Sequence, residues 1–284
     1  MPSPAVRMHW DSLLFLHWRT DAARLRALIP TNLDIDTFDG SAWIGLVPFK
    51  MANCRFRGVP PLASTTNFYE CNVRTYVRHR TPSGQVVRGV WFFSLDAQTL
   101  LPVLGGRWLW SLNYVRSDFA VTQQGSVTDY RLERRRGPWP AAKSHIRWRT
   151  GELLAETPPT TAPTTAPTTA PTTAPSTVST GEHSRANTPT FTPSLTSSST
   201  LAHFLTERYW LFTRRFGRVL GGRVAHVPWP LRAAELLHLD DTLLLAAGVQ
   251  AHGTPVAFAS DHLEVEGYPL GRVQPPDAGP IAGP

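Results

Sequence analysis

Lysine is almost absent from this chain. Only Lys50 and Lys143 occur in 284 residues, so 26 of the 28 basic side chains are arginine. A coding bias toward arginine explains this at least as well as anion binding does. The densest basic cluster, Arg131, Arg134, Arg135 and Arg136, is interrupted by Glu133 and suits a solvated strand end. Cysteine is scarce too. Cys54 and Cys71 are the only two, which excludes a disulfide scaffold and fits free thiols in a reducing, cytoplasmic setting. No uncharged apolar run approaches the ~20 residues of a bilayer span, and MPSPAVRMHW lacks a signal core. There is no glycine-rich phosphate loop, no Gly-x-Ser-x-Gly elbow and no nucleic-acid-binding motif. The ten histidines are scattered, without the spacing beside acids that a metal site needs. Lone His17 and His226 read as structural rather than ligating. No metal or other cofactor is expected, and neither a nucleic acid nor a membrane is an expected partner.

Core material is plentiful: 42% of residues are hydrophobic, with ten Trp and thirteen Phe. One stretch breaks this pattern. Residues 160–175 are TTAP repeated four times, and the flanks to about Thr200 are rich in Ser, Thr and Pro. Such a segment buries too little apolar surface to offset the entropy of ordering. It reads as an expanded repeat in a tolerated surface loop, with a docking arm for a protein partner as the minor alternative. The expected organisation is a single domain in two parts, 1–156 and 200–268. A disordered low-complexity insertion at 157–199 separates them, and a flexible tail follows at 269–284.

Periodicity predicts many strands and few helices. A capped helix spans 20–29 and stops at Pro30. Strands are expected at 33–36, 41–49, 67–77, 86–95, 115–121, 127–135 and 144–149. A helix is expected over 99–110, and a longer one through LAHFLTERYWLFTRRF, closed by Arg214, Arg215 and Gly217. A strand near 218–226, a helix over LRAAELLHL and strands at 242–248 and 256–265 complete the chain. The absence of a regular βαβ alternation argues for a mainly β fold with flanking helices (α+β), an antiparallel or mixed barrel or sandwich.

The chemistry concentrates in NFYECNVRTYV, residues 67–77. Alternation puts Glu70, Asn72, Arg74 and Tyr76 on one face and Cys71, Val73, Thr75 and Val77 on the other. The polar row is either a wet sheet face with a Glu70–Arg74 ion pair or the lining of a pocket. Ser94 and Asp96 share a face on the next strand, and Arg107 and Tyr114 follow. Gathered together, these residues would bind a small polar or carboxylate ligand. Arginine would supply a bidentate fork, and Glu70 or Tyr114 proton transfer.

MHWDSLLFLHW, LIPTNLDIDTFDGSAWIGLVPFKM, YECNVRTYV, FFSLDA, FLTERYWLFT and HVPWPLRAAELL together resemble the uncharacterised bacterial YqjF-like family, from about residue 8 to 265. The resemblance implies an acetoacetate decarboxylase-like β-barrel that encloses a pocket, with helices packed outside. Decarboxylases of that fold carry a Gly-Arg-Glu stretch leading to Pro-Lys-Lys, whose first lysine forms a Schiff base. Here Gly106-Arg107 matches the start, but Asn113, Tyr114 and Val115 stand at the later positions. Glu70 resembles the glutamate of the decarboxylase Tyr-x-Glu motif, offset by one. Lys50, on the face of Ile44 and Leu46, reads as a surface lysine and Lys143 as a turn residue. The resemblance thus implies a pocket acid and arginine without the covalent nucleophile, in a fold whose decarboxylase members assemble into oligomers. Two functions follow: a small-molecule-binding barrel, noncovalently catalytic or not, or a scaffold that recruits a partner through the Thr-Ala-Pro arm.

Overall fold

The computed structural model describes residues 3–60, 66–99, 110–154 and 195–273. Twelve strands form one sheet. They are β1 (Val6–Thr20), β2 (Asp34–Ile35), β3 (Ala42–Phe56), β4 (Phe68–Arg80), β5 (Val86–Ala97), β6 (Tyr114–Gln124), β7 (Val127–Arg134), β8 (Lys143–Leu153), β9 (Trp210–Arg215), β10 (Arg218–Ala225), β11 (Arg232–Asp241) and β12 (Val256–Gly267). Three helices are described: α1 (Ala22–Arg26), α2 (Leu195–Thr206) and α3 (Leu243–Ala246). Strands from both sides of the Thr-Ala-Pro repeats pair in this sheet, and α2 begins at Leu195, inside the expected 157–199 insertion. Residues 155–194, which hold the repeats, and most of the expected 99–110 helix lie outside the described residues.

The sheet closes on itself twice. One ring runs β12-β1-β3-β4-β5-β9-β10 and back to β12. The other leaves β5 through β6, β7, β8 and β11 and returns to the same β12. The five strands β12, β1, β3, β4 and β5 are therefore a wall shared by two interiors. On β1, Leu13 and Phe15 pack into the first interior, while Leu14, Leu16 and Trp18 pack into the second. On β3, Trp43, Val47 and Phe49 face the first interior and Ile44 and Leu46 the second. Burial on both faces explains why β1 carries the unbroken run LLFL and gives no alternation signal.

Four expected elements differ. The long helix ends at Thr206, and Trp210–Arg215 is strand β9, between β5 and β10. Trp210, Phe212 and Thr213 are strand formers, and without them the first ring stays open. Arg214, Arg215 and Gly217 therefore belong to a hairpin, not a helix end. Phe216 and Gly217 form its two-residue turn, with φ of 50° and 76°. The segment read as the helix LRAAELLHL is β11, whose helix-favouring Ala, Glu and Leu are overruled by pairing with β8. The expected strand at 242–248 is α3, which buries Leu243 and Leu244. The start of the tail is held rather than free: Gly271 exchanges two 3.0 Å backbone hydrogen bonds with Gly221, and Val273 is buried.

The seam between β5 and β9 depends on Gly89. A Cβ there would meet the Trp210 carbonyl oxygen at 2.4 Å and its carbon at 2.9 Å, both backbone atoms. Gly89→Ala is expected to lower stability by about 2 kcal/mol or more, because two strands rather than a side chain must move apart. Chemical denaturation of the two proteins reads this directly; equal midpoints would mean that the seam adjusts freely.

Candidate functional site

The polar row of β4 faces the first interior and is not a wet surface. Glu70 is 2% exposed, Asn72 5%, Arg74 9% and Tyr76 0%. Antiparallel register sets Glu70 opposite Phe49 and Ala97, and Asn72 opposite Val47, all in or beside the same core. Glu70 and Arg74 do not form the ion pair that a wet face would carry; Arg74 instead donates to the Leu205 carbonyl at 3.2 Å.

Glu70, Asn72 and Arg74 line a cavity of about 140 Å³, together with Tyr114, Arg208, His226 and a largely apolar wall from β1, β3, β5, β9 and β10. A cavity of this size holds a benzene-sized molecule. The Tyr114 hydroxyl donates to Glu70 Oε2 at 3.2 Å. Burial is the chief reason that the Glu70 carboxyl is pushed up to about 8, with Tyr114 opposing and Asp96 adding to the rise. Glu70 is therefore protonated and neutral at pH 7. The adjacent Cys54 thiol is pushed up to about 12 by burial and by Glu70, which leaves it no nucleophile.

Arg74 has no carboxylate partner among the described residues, and its Nε is buried with no hydrogen bond. Asn72 Oδ1 is also buried and unpartnered. The guanidinium lies 5.5 Å from the centre of the Phe15 ring and 5.8 Å from that of Tyr76. Such contacts compensate only partly for a missing counter-ion. Gly45 makes room here: a Cβ would stand 3.0 Å from the His17 ring and 3.4 Å from Arg74 Cγ. Two further arginines, Arg208 and Arg223, line the cavity, and Arg208 is paired with the buried Asp36 at 2.8 Å, a carboxylate that it shares with Arg78 and Arg88.

Tyr76 sits beside the cavity and does structural work. Its hydroxyl donates to the Leu205 carbonyl at 2.7 Å, so its 2.6 Å contact with His17 Nε2 must have the imidazole as donor. Burial, and after it the nearby Arg74, hold His17 well below its usual range, which favours the neutral ring, and its Nδ1 is buried without a partner. Leu205, Phe204 and Thr206 lie at the end of α2, where carbonyls lack helical partners. Arg74 and Tyr76 bind the first, Arg208 the second at 2.7 Å and Trp229 Nε1 the third at 3.0 Å.

Ser94 and Asp96 are not at this site. They pair with Val73 and Cys71, the face that packs into the second interior. There Asp96 accepts from Arg134 Nε at 2.7 Å and Nη2 at 2.9 Å, and from Ser117 at 2.8 Å; Arg134 also donates to Ser94 at 2.9 Å. The arginine cluster is thus dispersed, with Arg134 buried on Asp96, Arg135 paired with Asp118 and Arg131 with Asp129. Arg107 lies outside the described residues. Lys50 faces the second interior, and Lys143 forms an exposed pair with Asp240 at 3.4 Å.

His226 reads from the sequence as a structural histidine, but the fold brings it to the cavity. It lines the cavity, and its Nδ1 lies 2.7 Å from the Val227 carbonyl, which can only accept. Nε2 is therefore left as the lone-pair nitrogen. Burial holds the ring below its usual range, opposite in direction to Glu70. Its only sequence signal is proximity to Trp229 in HVPW. Among the described residues, no three His, Cys, Asp or Glu side chains gather as a metal site, and no helix is long and apolar enough to cross a membrane.

A closed barrel with a buried acid-containing cavity places the protein in a structural class, the acetoacetate decarboxylase-like fold. Acetoacetate decarboxylase from Legionella pneumophila superposes with a TM-score of 0.56 at 9% identity, over 96% of this chain and 88% of that one. An acetoacetate decarboxylase-like enzyme from Sphingomonas wittichii gives 0.55 at 10% identity, over 96% and 94%. The enduracididine biosynthesis enzyme MppR, solved with pyruvate, gives 0.55 at 10%, over 95% and 91%. At these identities the likeness concerns the fold. Residues 7–264 match DUF2071, described as "Uncharacterized conserved protein (COG2071)", and the chain belongs to that family. The uncharacterised protein YqjF of Bacillus subtilis is 31% identical over 244 residues, 86% of this chain and 82% of that protein.

Proposed function

We propose that the first interior is a binding site for a small anionic ligand, a carboxylate or carbonyl acid, held by Arg74, Asn72, Glu70 and Tyr114. The observation that carries this reading is the buried Arg74 guanidinium, which has no carboxylate partner among the described residues and an unbonded Nε, beside a carboxyl that is itself neutral. With Glu70 protonated, the polar row has a net positive charge, and an anion supplies what the protein does not. Neutral Glu70 can donate a hydrogen bond to such a ligand, which an ionised carboxylate would repel.

If the site is catalytic, its chemistry is noncovalent proton transfer. Glu70 is held protonated and His226 is held neutral by the same burial, and such opposed environments separate an acid from a base. Tyr114 stands where the resemblance expects the Schiff-base lysine, while Lys50 and Lys143 are directed elsewhere. The buried free cysteines are consistent with a cytoplasmic setting. A partner-recruiting scaffold has no observation in its favour among the described residues.

Thermal-shift measurements against keto and hydroxy acids test this reading. Stabilisation by at least one anion is expected, with Arg74→Gln weakening it at least tenfold, as befits loss of a charge-assisted contact. Borohydride with acetoacetate is expected to label no lysine. An inert panel, or a labelled lysine, would overturn the respective claim.

A further inference from the structure

The cavity combines a polar cluster with an aromatic wall. Glu70, Asn72 and Arg74 on β4 gather with Tyr114; Thr206, Arg208, Arg223 and His226 add further polar groups, and most of the remaining wall is aromatic and aliphatic, including Trp10, Phe15, Phe49, Phe92, Trp110 and Trp229. The aromatic side chains support one another. Trp10 stacks on Trp229 at 5.7 Å and 11° between planes, and meets Phe49 edge-on at 5.8 Å. Phe15 meets the other side of this group, with its ring 5.0 Å from Trp229 and the Arg74 guanidinium 5.5 Å from its own centre. Arg74 is thus the junction between the polar cluster and the aromatic wall.

We infer that the ligand is an acid with an aromatic or bulky apolar body, not a short keto acid. This rests on the reading above that the cavity takes an anionic head. A head of three or four heavy atoms suffices for Arg74, Asn72 and Glu70. The whole cavity, with the space for the head included, is about 140 Å³, near the volume that holds a benzene ring in a purely apolar cavity. Its apolar wall attracts a body that fills it through dispersion and release of water. Stacked and edge-on rings favour a planar body. Affinity is expected to rise roughly tenfold for every two methylene equivalents buried.

Calorimetric titration of the full chain with pyruvate, phenylpyruvate and 2-phenylethanol tests this. Phenylpyruvate is expected to bind at least tenfold more tightly than either of the others. Trp10→Ala should weaken phenylpyruvate at least tenfold more than it weakens pyruvate, so that the two affinities converge. Trp10→Phe, which keeps a ring in place, should retain most of the preference and guards against a folding defect in the alanine variant. Equal affinity for pyruvate and phenylpyruvate overturns the inference and leaves the anion site standing. Equal affinity for phenylpyruvate and 2-phenylethanol overturns the anion site instead. Binding of none of the three overturns both.

Discussion

Asp96→Ala is expected to destabilise the protein by about 3–5 kcal/mol, the cost of leaving a buried charge without its partner. The side chains of Asp96 and Arg134 are 0% and 2% exposed, and two hydrogen bonds of 2.7 and 2.9 Å join them. Ser117 and Ser94 complete the cluster, so deleting the carboxylate strands the guanidinium and two hydroxyls at once. For a domain stable by some 5–15 kcal/mol this is a large fraction. Replacing both members by apolar residues, as in D96L/R134L, is expected to recover much of the loss, because no charge then remains buried. Urea denaturation of the three proteins distinguishes a structural pair from a ligand contact. If D96A lost anion binding but kept its denaturation midpoint, the assignment of Asp96 to the second interior would be wrong.

Raising the pH through 8 is expected to weaken anion binding sharply, and Glu70→Gln is expected to remove that dependence. Glu70 has an ordinary value of 4.5 and a folded value of about 8. The folded state therefore keeps a proton that the unfolded chain releases above about 4.5. Stability falls as pH rises from there to about 8 and then levels off, since both states are ionised. The full span corresponds to on the order of 5 kcal/mol. The ligand site changes at the upper end of the window: ionised Glu70 would cancel the Arg74 charge and cease to donate. Glutamine keeps the size and the neutral, donating character at all pH values. Affinity for a phenylpyruvate-type anion, measured from pH 6 to 9, should be flat in E70Q and should drop in the wild type. Infrared detection of a protonated carboxyl at pH 7, lost in E70Q, checks the assignment independently. A wild-type affinity that does not change across pH 8 would show that Glu70 is not the neutral partner described.

Much of the fold was legible because most strands have one distinctive face or a turn signal. β4, β5, β7, β8 and β12 lie where alternation and the flanking turns put them. The failures have common causes. β1 is buried on both sides and shows no period. β9 and β11 take their conformation from pairing partners distant in sequence, against local helical preference. At the site, the order Glu70, Asn72, Arg74, Tyr76 on one face was legible, and so was the absence of a lysine beside it. Ser94 and Asp96 were misplaced because alternation tells which residues share a face but not which interior that face meets. A register shift between Val73 and Arg74 also intervenes where β4 meets β5. His226 was illegible because it reaches the cavity from a loop.

By itself, the sequence determined the chemistry on offer: an acid, an amide, a guanidinium and a phenol at alternating positions of β4, thiols too few for a scaffold, and only two lysines. These follow from residue identity and the two-residue period of a strand. Only the tertiary structure decided where that row points. β4 belongs to a wall with an interior on either side, so both of its faces are buried, and the polar one meets the aromatic cavity while Asp96 meets Arg134 on the other. Burial in turn raises Glu70 to about 8 and leaves Arg74 without a carboxylate partner among the described residues. Neither property resides in the residues themselves, because each depends on how much water the closing of the ring removes.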